Sequence, residues 1–259
     1  KIAASNDGTW LDFVRGAIYF IKKLSPTLKG IDVAVSSTIP NGSGLSSSAA
    51  LEISLLKGFS QLQSLSIVPK EMAKIGQQIE HHFVGTQCGI MDQMVSACGV
   101  SGQAFFLDCE SLQTKSVPLF PNHTFIVIHS GSTRKLSQGS YNERKQETML
   151  ASKILNVPSL RYASLGQIKL IEDPTIQIRA KHIISENNRV IQATSCLEEN
   201  DAKQFGELMN LSHQSMRDDY EISSDEINQV VEAARNKGAL GARLTGAGFG
   251  GCVIVLAEN

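Results

Sequence analysis

The chain has 259 residues, 42% of them hydrophobic, and 24 Lys and Arg against 25 Asp and Glu give a formal net charge of −1. That apolar content suffices for one or two domains with a buried core, and the balanced charge excludes a global field that would draw in nucleic acid or an anionic membrane. Cys88, Cys98, Cys109, Cys196 and Cys252 are scattered without CxxC spacing, which suggests neither a zinc site nor a disulfide framework and points to a reducing cytoplasm.

The longest apolar runs, such as Thr124–Ile128 and Cys252–Ala257, are strand-sized and too short to span a bilayer. The first residues lack the apolar core of a secretory signal, so the sequons at Asn122 and Asn210 read as chance matches. Residue 1 is Lys, and both ends read as cut.

In chain order, Leu11–Leu24 has apolar residues at helical spacing, and Gly30–Val35 alternates apolar with polar like a strand. Ser47–Leu62 is predicted helical with a broad buried face. Pro69–Val84 is predicted as a second helix with Pro69 in its first turn, broken by Gly85–Gly89, and Ile90–Ala97 as another. Ala104–Leu107, Thr114–Val117 and Phe125–His129 read as strands of an antiparallel meander. Helices follow at Tyr141–Leu155, Ile176–Glu199, Ala202–Asp218 and Ser224–Asn236, then strand, loop and strand around Thr245–Val255. The mixture of elements predicts an α+β chain, divided into a strand-containing lobe, residues 1–121, and a mainly helical one, residues 122–259.

The segment Pro40–Ala50 carries the most chemistry. Gly42 and Gly44 let backbone amides approach a ligand, and the helix that follows aims its free N–H groups and positive dipole end at the same place. Phosphate uses both features, so Gly42, Ser43, Gly44, Leu45, Ser46, Ser47 and Ser48 form a candidate nucleotide phosphate site. No lysine follows Gly44, so this is not a Walker loop; the alternative is an ordinary helix cap after a flexible turn. Glu80 and Asp92 could supply the metal-binding and proton-handling carboxylates that phosphoryl transfer needs, or could be solvated surface acids. The stretch Leu244–Cys252 holds four glycines in six residues, suited to close backbone approach or to a plain turn.

Pro40–Ala50 and Gly246–Cys252 resemble two signatures of the GHMP small-molecule kinases. Glu80–Gly85, Cys88–Gln93, Asp108–Leu112, Tyr141–Lys145 and Ser212–Glu221 narrow the resemblance to the galactokinase family, in family order over nearly the whole chain. The resemblance implies a two-lobed fold with a mixed-sheet N-terminal lobe and a ferredoxin-like C-terminal lobe. It implies ATP and Mg²⁺ as cofactors and galactose as the sugar that receives phosphate, with N-acetylgalactosamine or arabinose, a non-catalytic galactose sensor and an inactive fragment as alternatives. The uninterrupted run Ser46–Ala50 favours a kinase over a sensor. In this pattern Gly42–Ser48 cradle the ATP phosphates and Ser48 and Glu80 hold Mg²⁺. Asp92 is the catalytic carboxylate, Gly89, Asp92 and Tyr141 meet the sugar, and the loop containing Thr245, Gly246, Gly248, Gly250 and Gly251 supports substrate and nucleotide. Arg134 reads more readily as a surface residue, His81 and His82 as structural, and Asp218-Asp219 as scaffold. Galactokinases carry an N-terminal signature close to Gly-Arg-Val-Asn-Leu-Ile-Gly-Glu-His-Thr-Asp-Tyr ahead of the matched region. Its absence from these residues implies either a piece of a longer protein or a sugar pocket lacking part of its wall. No nucleic acid or membrane partner is expected, and a monomer is the working expectation.

Overall fold

The computed structural model describes residues 9–40, 44–132 and 137–259, with the backbone alone at 137, 138 and 141. They divide into two units, one of residues up to Pro40 with Ser46–Val117, the other of Pro118–Asn259 with Gly44 and Leu45.

In the first unit, α1 (Leu11–Leu24) buries Ala17 and Ile21 against α2 (Ser47–Leu62), which contributes Ile53, Leu56 and Phe59. A Cβ on Gly16 would come 2.6 Å from Ile79 Cγ2, so glycine sets how closely α1 approaches the end of α3 (Pro69–Ile79). Asp12, buried on α1, pairs with Arg15 at 2.9 Å. The expected helix Pro69–Val84 is not a single α-helix. After Ile79 it widens into a π turn, Glu80–Val84, closed by the Gly85 N–H donating to the Glu80 carbonyl, with Gly85 at φ 85°. Such wider turns often mark functional segments, because they re-aim side chains without ending the helix. Then come α4 (Met91–Cys98) and the two-stranded sheet of β1 (Gln103–Leu107) and β2 (Thr114–Pro118). At the tip between them, Asp108 Oδ1 accepts the N–H groups of Glu110 and Ser111 at 2.9 Å each.

Two strand expectations are corrected. Gly30–Val35 is not a strand: Ile31 and Val33 pack on the core, but among the described residues no neighbouring strand offers this backbone a ladder. The meander is also absent. Among the described residues β1 pairs only with β2, whereas β3 (His123–His129) belongs to the second unit and pairs with the C-terminal strand.

That second unit has a three-stranded antiparallel sheet in the order β3, β5 (Cys252–Glu258), β4 (Gly241–Leu244). Phe125 lies opposite Leu256, and Leu244 opposite Val253. The central strand is the nearly continuous apolar run Cys252-Val253-Ile254-Val255-Leu256, as a strand with neighbours on both sides requires. Four helices accompany it: α5 (Ser137–Ile154), α6 (Pro174–Glu199), α7 (Ala202–Asp218) and α8 (Asp225–Asn236). Asp173 caps α6 by accepting the N–H groups of Thr175 and Ile176, with Pro174 in the first turn. A Cβ on Gly206 would lie 2.5 Å from the Leu240 carbonyl, so α7 rests almost directly on the backbone leading into β4. Ile227 and Val231 of α8 pack with Ala242, Leu244, Val253 and Val255. Two short 3₁₀ turns, Leu160–Tyr162 and Leu165–Leu170, were not anticipated between α5 and α6.

Candidate active site

The phosphate-loop residues that the structure describes begin at Gly44, with φ 79°. Ser46, the residue before α2, is left-handed at φ 55° and ψ 38°, an unfavourable conformation for a residue with a Cβ. No side chain caps the start of α2, and no acid occupies its first turn. The helix therefore begins with amides and a positive dipole end unopposed by its own side chains, which suits an anion. Gly42 and Ser43 lie outside the described residues.

Ser48 is half-buried in the first turn of α2. Thr86, just past the π turn, donates its backbone N–H to the Glu80 carbonyl at 3.0 Å. Glu80 is itself buried, and that burial pushes its carboxyl up from the usual range against the opposing influence of the Ser48 and Thr86 side chains. One turn beyond Ser48 on the same helix face is Glu52, fully buried. Burial, then the charge of Glu80, pushes its carboxyl up to about 9, so Glu52 is neutral near pH 7. Gln93 Nε2 donates to Glu52 Oε2 at 3.1 Å.

Asp92 is half-buried in the first turn of α4, beside Gln93. Its charge contributes to raising the carboxyls of both Glu52 and Glu80, so the three acids share one electrostatic neighbourhood. Gly89 is exposed just ahead of α4. The carbonyl before it, that of Cys88, is held by His81 Nε2 at 3.0 Å and Gln77 Nε2 at 3.2 Å. His81 thus shapes the approach to α4, whereas His82 is exposed.

Whether these residues fit Mg²⁺ can be judged from the donors. Ser48 and Glu80 present hard oxygen atoms, and among the described residues no Lys or Arg ion-pairs with the buried Glu80 carboxylate. No group of three or more His, Cys, Asp and Glu converges as a complete metal cage among those residues. One carboxylate and one hydroxyl suit a cation that keeps waters and takes its other ligands from phosphate, so the residues fit.

In the second unit, Thr245–Gly251 links β4 to β5. Gly246, Gly248, Phe249, Gly250 and Gly251 all have positive φ. The loop is closed at its base by the Thr245 N–H on the Cys252 carbonyl at 3.0 Å, and by the Gly251 N–H on the Ser132 carbonyl at 3.1 Å. Tyr141 lies on α5, its side chain outside the described residues, as is Arg134 entirely. The rest of the Tyr141–Lys145 motif is structural. Arg144 Nε donates to the Tyr220 carbonyl at 2.8 Å and its Nη1 pairs with Glu147 at 2.9 Å, while the buried Arg179 pairs with Glu147 and donates to the Asp219 carbonyl at 2.7 Å. Asp219 accepts from Ser215 Oγ at 2.8 Å and pairs with Lys181 at 2.9 Å, whereas Asp218 pairs with Arg217.

Three residues of this site were missed from the sequence: Glu52, Thr86 and Gln93. Glu52 carried a usable signal, an acid inside the apolar face of α2 four residues after Ser48. Gln93 closes the Cys88–Gln93 motif but was given no role there, and Thr86 carried no signal.

Residues 12–100 match the GHMP kinases N terminal domain, and residues 193–259 match the GHMP kinases C terminal family. Fold and matches together define a GHMP kinase, with the α+β architecture expected from the sequence. The chain is 40% identical over 99% of its length to the galactokinase of Pasteurella multocida (strain Pm70), and 40% identical over 96% of its length to that of Roseiflexus sp. (strain RS-1). It spans 69% and 66% of those proteins, about two thirds of the curated relatives' length. The crystal structure of Lactococcus lactis galactokinase complexed with galactose matches with a TM-score of 0.90 at 34% identity, covering 99% of this chain and 69% of that one. The mevalonate kinase of Methanococcus jannaschii shares the fold, with a TM-score of 0.65 at 22% identity, over 95% of this chain and 67% of its own. The chain belongs to the galactokinase family.

Proposed function

We propose that the protein transfers the γ-phosphoryl group of ATP to the anomeric hydroxyl of galactose, giving galactose 1-phosphate and ADP. The observation that carries this reading is the buried Glu80 carboxyl, on whose ionisation both Ser48 and Asp92 act, together with the uncapped first turn of α2 that holds Ser48. The amides of Gly44–Ser48, with Gly42 and Ser43 by the family pattern, hold the phosphates, using backbone donors and the dipole of α2. Ser48 and Glu80 hold Mg²⁺, which when bound neutralises charge on the phosphate oxygens. Asp92 orients the anomeric hydroxyl and takes its proton as the oxygen–phosphorus bond forms and the bond to ADP breaks. Thr86 ties the segment after the π turn to Glu80 through its N–H on the Glu80 carbonyl, a supporting contact to the residue assigned to the metal. Gly89 and Tyr141 are assigned to the sugar, and the loop of Thr245, Gly246, Gly248, Gly250 and Gly251 to substrate and nucleotide, on the family pattern.

All five cysteines are free thiols, and among the described residues no helix is long and apolar enough to cross a membrane. Both support a cytoplasmic location, and we assign a monomer as the working state. The test is ADP release by the full-length protein with galactose, N-acetylgalactosamine and arabinose. Turnover with galactose is expected. Turnover with another sugar alone would reassign the substrate, and binding of galactose and ATP without turnover would make the protein a sensor.

A further inference from the structure

Glu52 and Gln93 lie at the meeting point of three elements of the first unit. Glu52, at 0% exposure, projects from the middle of α2, the helix that begins at the phosphate loop. Gln93, at 2%, projects from the first turn of α4 next to Asp92. Their hydrogen bond, Gln93 Nε2 to Glu52 Oε2 at 3.1 Å, passes beside Gly76 of α3. A Cβ at Gly76 would stand 3.1 Å from both Gln93 Cγ and Glu52 Oε2, so α3 leaves room there for the pair.

Glu52 Oε1 meets no N–H or hydroxyl donor, so the bond from Gln93 is the one that holds this buried side chain. It joins α2, four residues after Ser48, to the first turn of α4, one residue from Asp92. A leucine at 52 would fit the apolar face of α2 at no cost in desolvation, so packing alone does not account for an acid there.

We propose that Glu52 and Gln93 are positioning residues, a buried bridge that fixes the first turn of α4, and with it the Asp92 carboxylate, relative to α2 and the Ser48 in its first turn. The inference rests on the phosphoryl-transfer reading above. Neither residue touches substrate. Each acts through the element it holds, as buried supports do when they keep reacting groups within fractions of an ångström of their working place.

The experiment measures kcat, both KM values, the half-saturating Mg²⁺ concentration and the melting temperature for the full-length protein and four variants. Glu52→Leu, Gln93→Leu and Gln93→Met are each expected to lose about 10- to 100-fold in kcat while galactose and ATP KM stay within about threefold, the signature of a misplaced reacting group rather than lost binding. Glu52→Gln keeps the bridge, its amide oxygen accepting from Gln93 Nε2, and is expected to retain kcat within about threefold of the wild type. Gln93→Met nearly conserves volume and supplies the reading if a leucine variant fails to fold. Folded leucine or methionine variants with wild-type kcat would reduce the pair to packing, as would a Glu52→Gln protein as slow as Glu52→Leu. A wild type without turnover on any sugar overturns the phosphoryl-transfer reading and the positioning role with it, whereas an active wild type with unaffected variants overturns the bridge alone.

Discussion

The Phe249 N–H donates to the carbonyl of Ile222 at 2.7 Å, tying the glycine-rich loop to the segment that follows α7. The residue before it, Gly248, is buried at φ 82°, and a Cβ there would overlap that same carbonyl oxygen. Gly248→Ala should therefore destabilise the second unit by roughly 1–3 kcal/mol, from left-handed strain plus the overlap, and lower kcat/KM by displacing the loop. Thermal unfolding and sugar kinetics check this. An unchanged melting temperature with unchanged kinetics would show that the loop yields at no cost.

Asp92→Asn keeps the size and place of the side chain but removes its basicity. Turnover should fall by about 10²- to 10⁴-fold while ATP affinity stays within about twofold, as expected for loss of a proton acceptor. Calorimetric ATP binding beside steady-state ADP release separates the two effects, and undiminished turnover would remove Asp92 from the chemistry.

Ser48→Ala removes a hydroxyl that acts on the Glu80 carboxyl and, on the proposed reading, ligates the cation. The Mg²⁺ concentration needed for half-maximal activity should rise by about three- to tenfold, with part of the lost rate recovered at high Mg²⁺. A superimposable Mg²⁺ titration would leave Glu80 without this partner at the metal.

Two buried histidines of the second unit set an acid limit on stability. His182 stacks on Tyr220 with ring centroids 4.4 Å apart and bonds Ser215 Oγ at 3.0 Å. His213 accepts the Leu244 N–H on Nδ1 at 3.4 Å. Burial lowers each to about 4 from an ordinary 6.5. For His182 this prevails over the attraction of Glu186 and Asp219, with Arg189 and Arg243 adding to it; for His213, Arg217, Arg243 and Arg235 act in the same direction as burial. The unfolded chain thus binds up to two more protons than the folded one between these values. Their contribution is complete above about pH 6.5 and is lost as pH falls towards 4, with a slope of at most about 1.4 kcal/mol per pH unit for each. Urea unfolding at several pH values should show this, and His182→Gln should flatten the slope by about one proton.

The helices were legible because their patterns are long. Leu11–Leu24 and Ala202–Asp218 keep helical spacing over four turns or so and end where expected. The strands depended on partners that local pattern cannot name. Gly30–Val35 alternates well yet pairs with nothing described, and Phe125–His129 is a strand whose neighbour lies more than a hundred residues away. Ser48, Glu80 and Asp92 could be proposed from the sequence because they sit in compact motifs that contain glycine. Glu52 stayed hidden among leucines because its meaning depends on Gln93, a residue 41 positions along the chain.

The widened turn at Glu80–Val84 also makes the chain intolerant of a change in length there. Removing one residue from it would let α3 run on as a regular helix, and everything downstream would swing by about 100° around the helix axis. The His81 side chain would leave the Cys88 carbonyl and the Thr86 N–H would leave the Glu80 carbonyl, with every amino acid in the chain otherwise unchanged. At this point the protein measures by counting residues rather than by their chemistry.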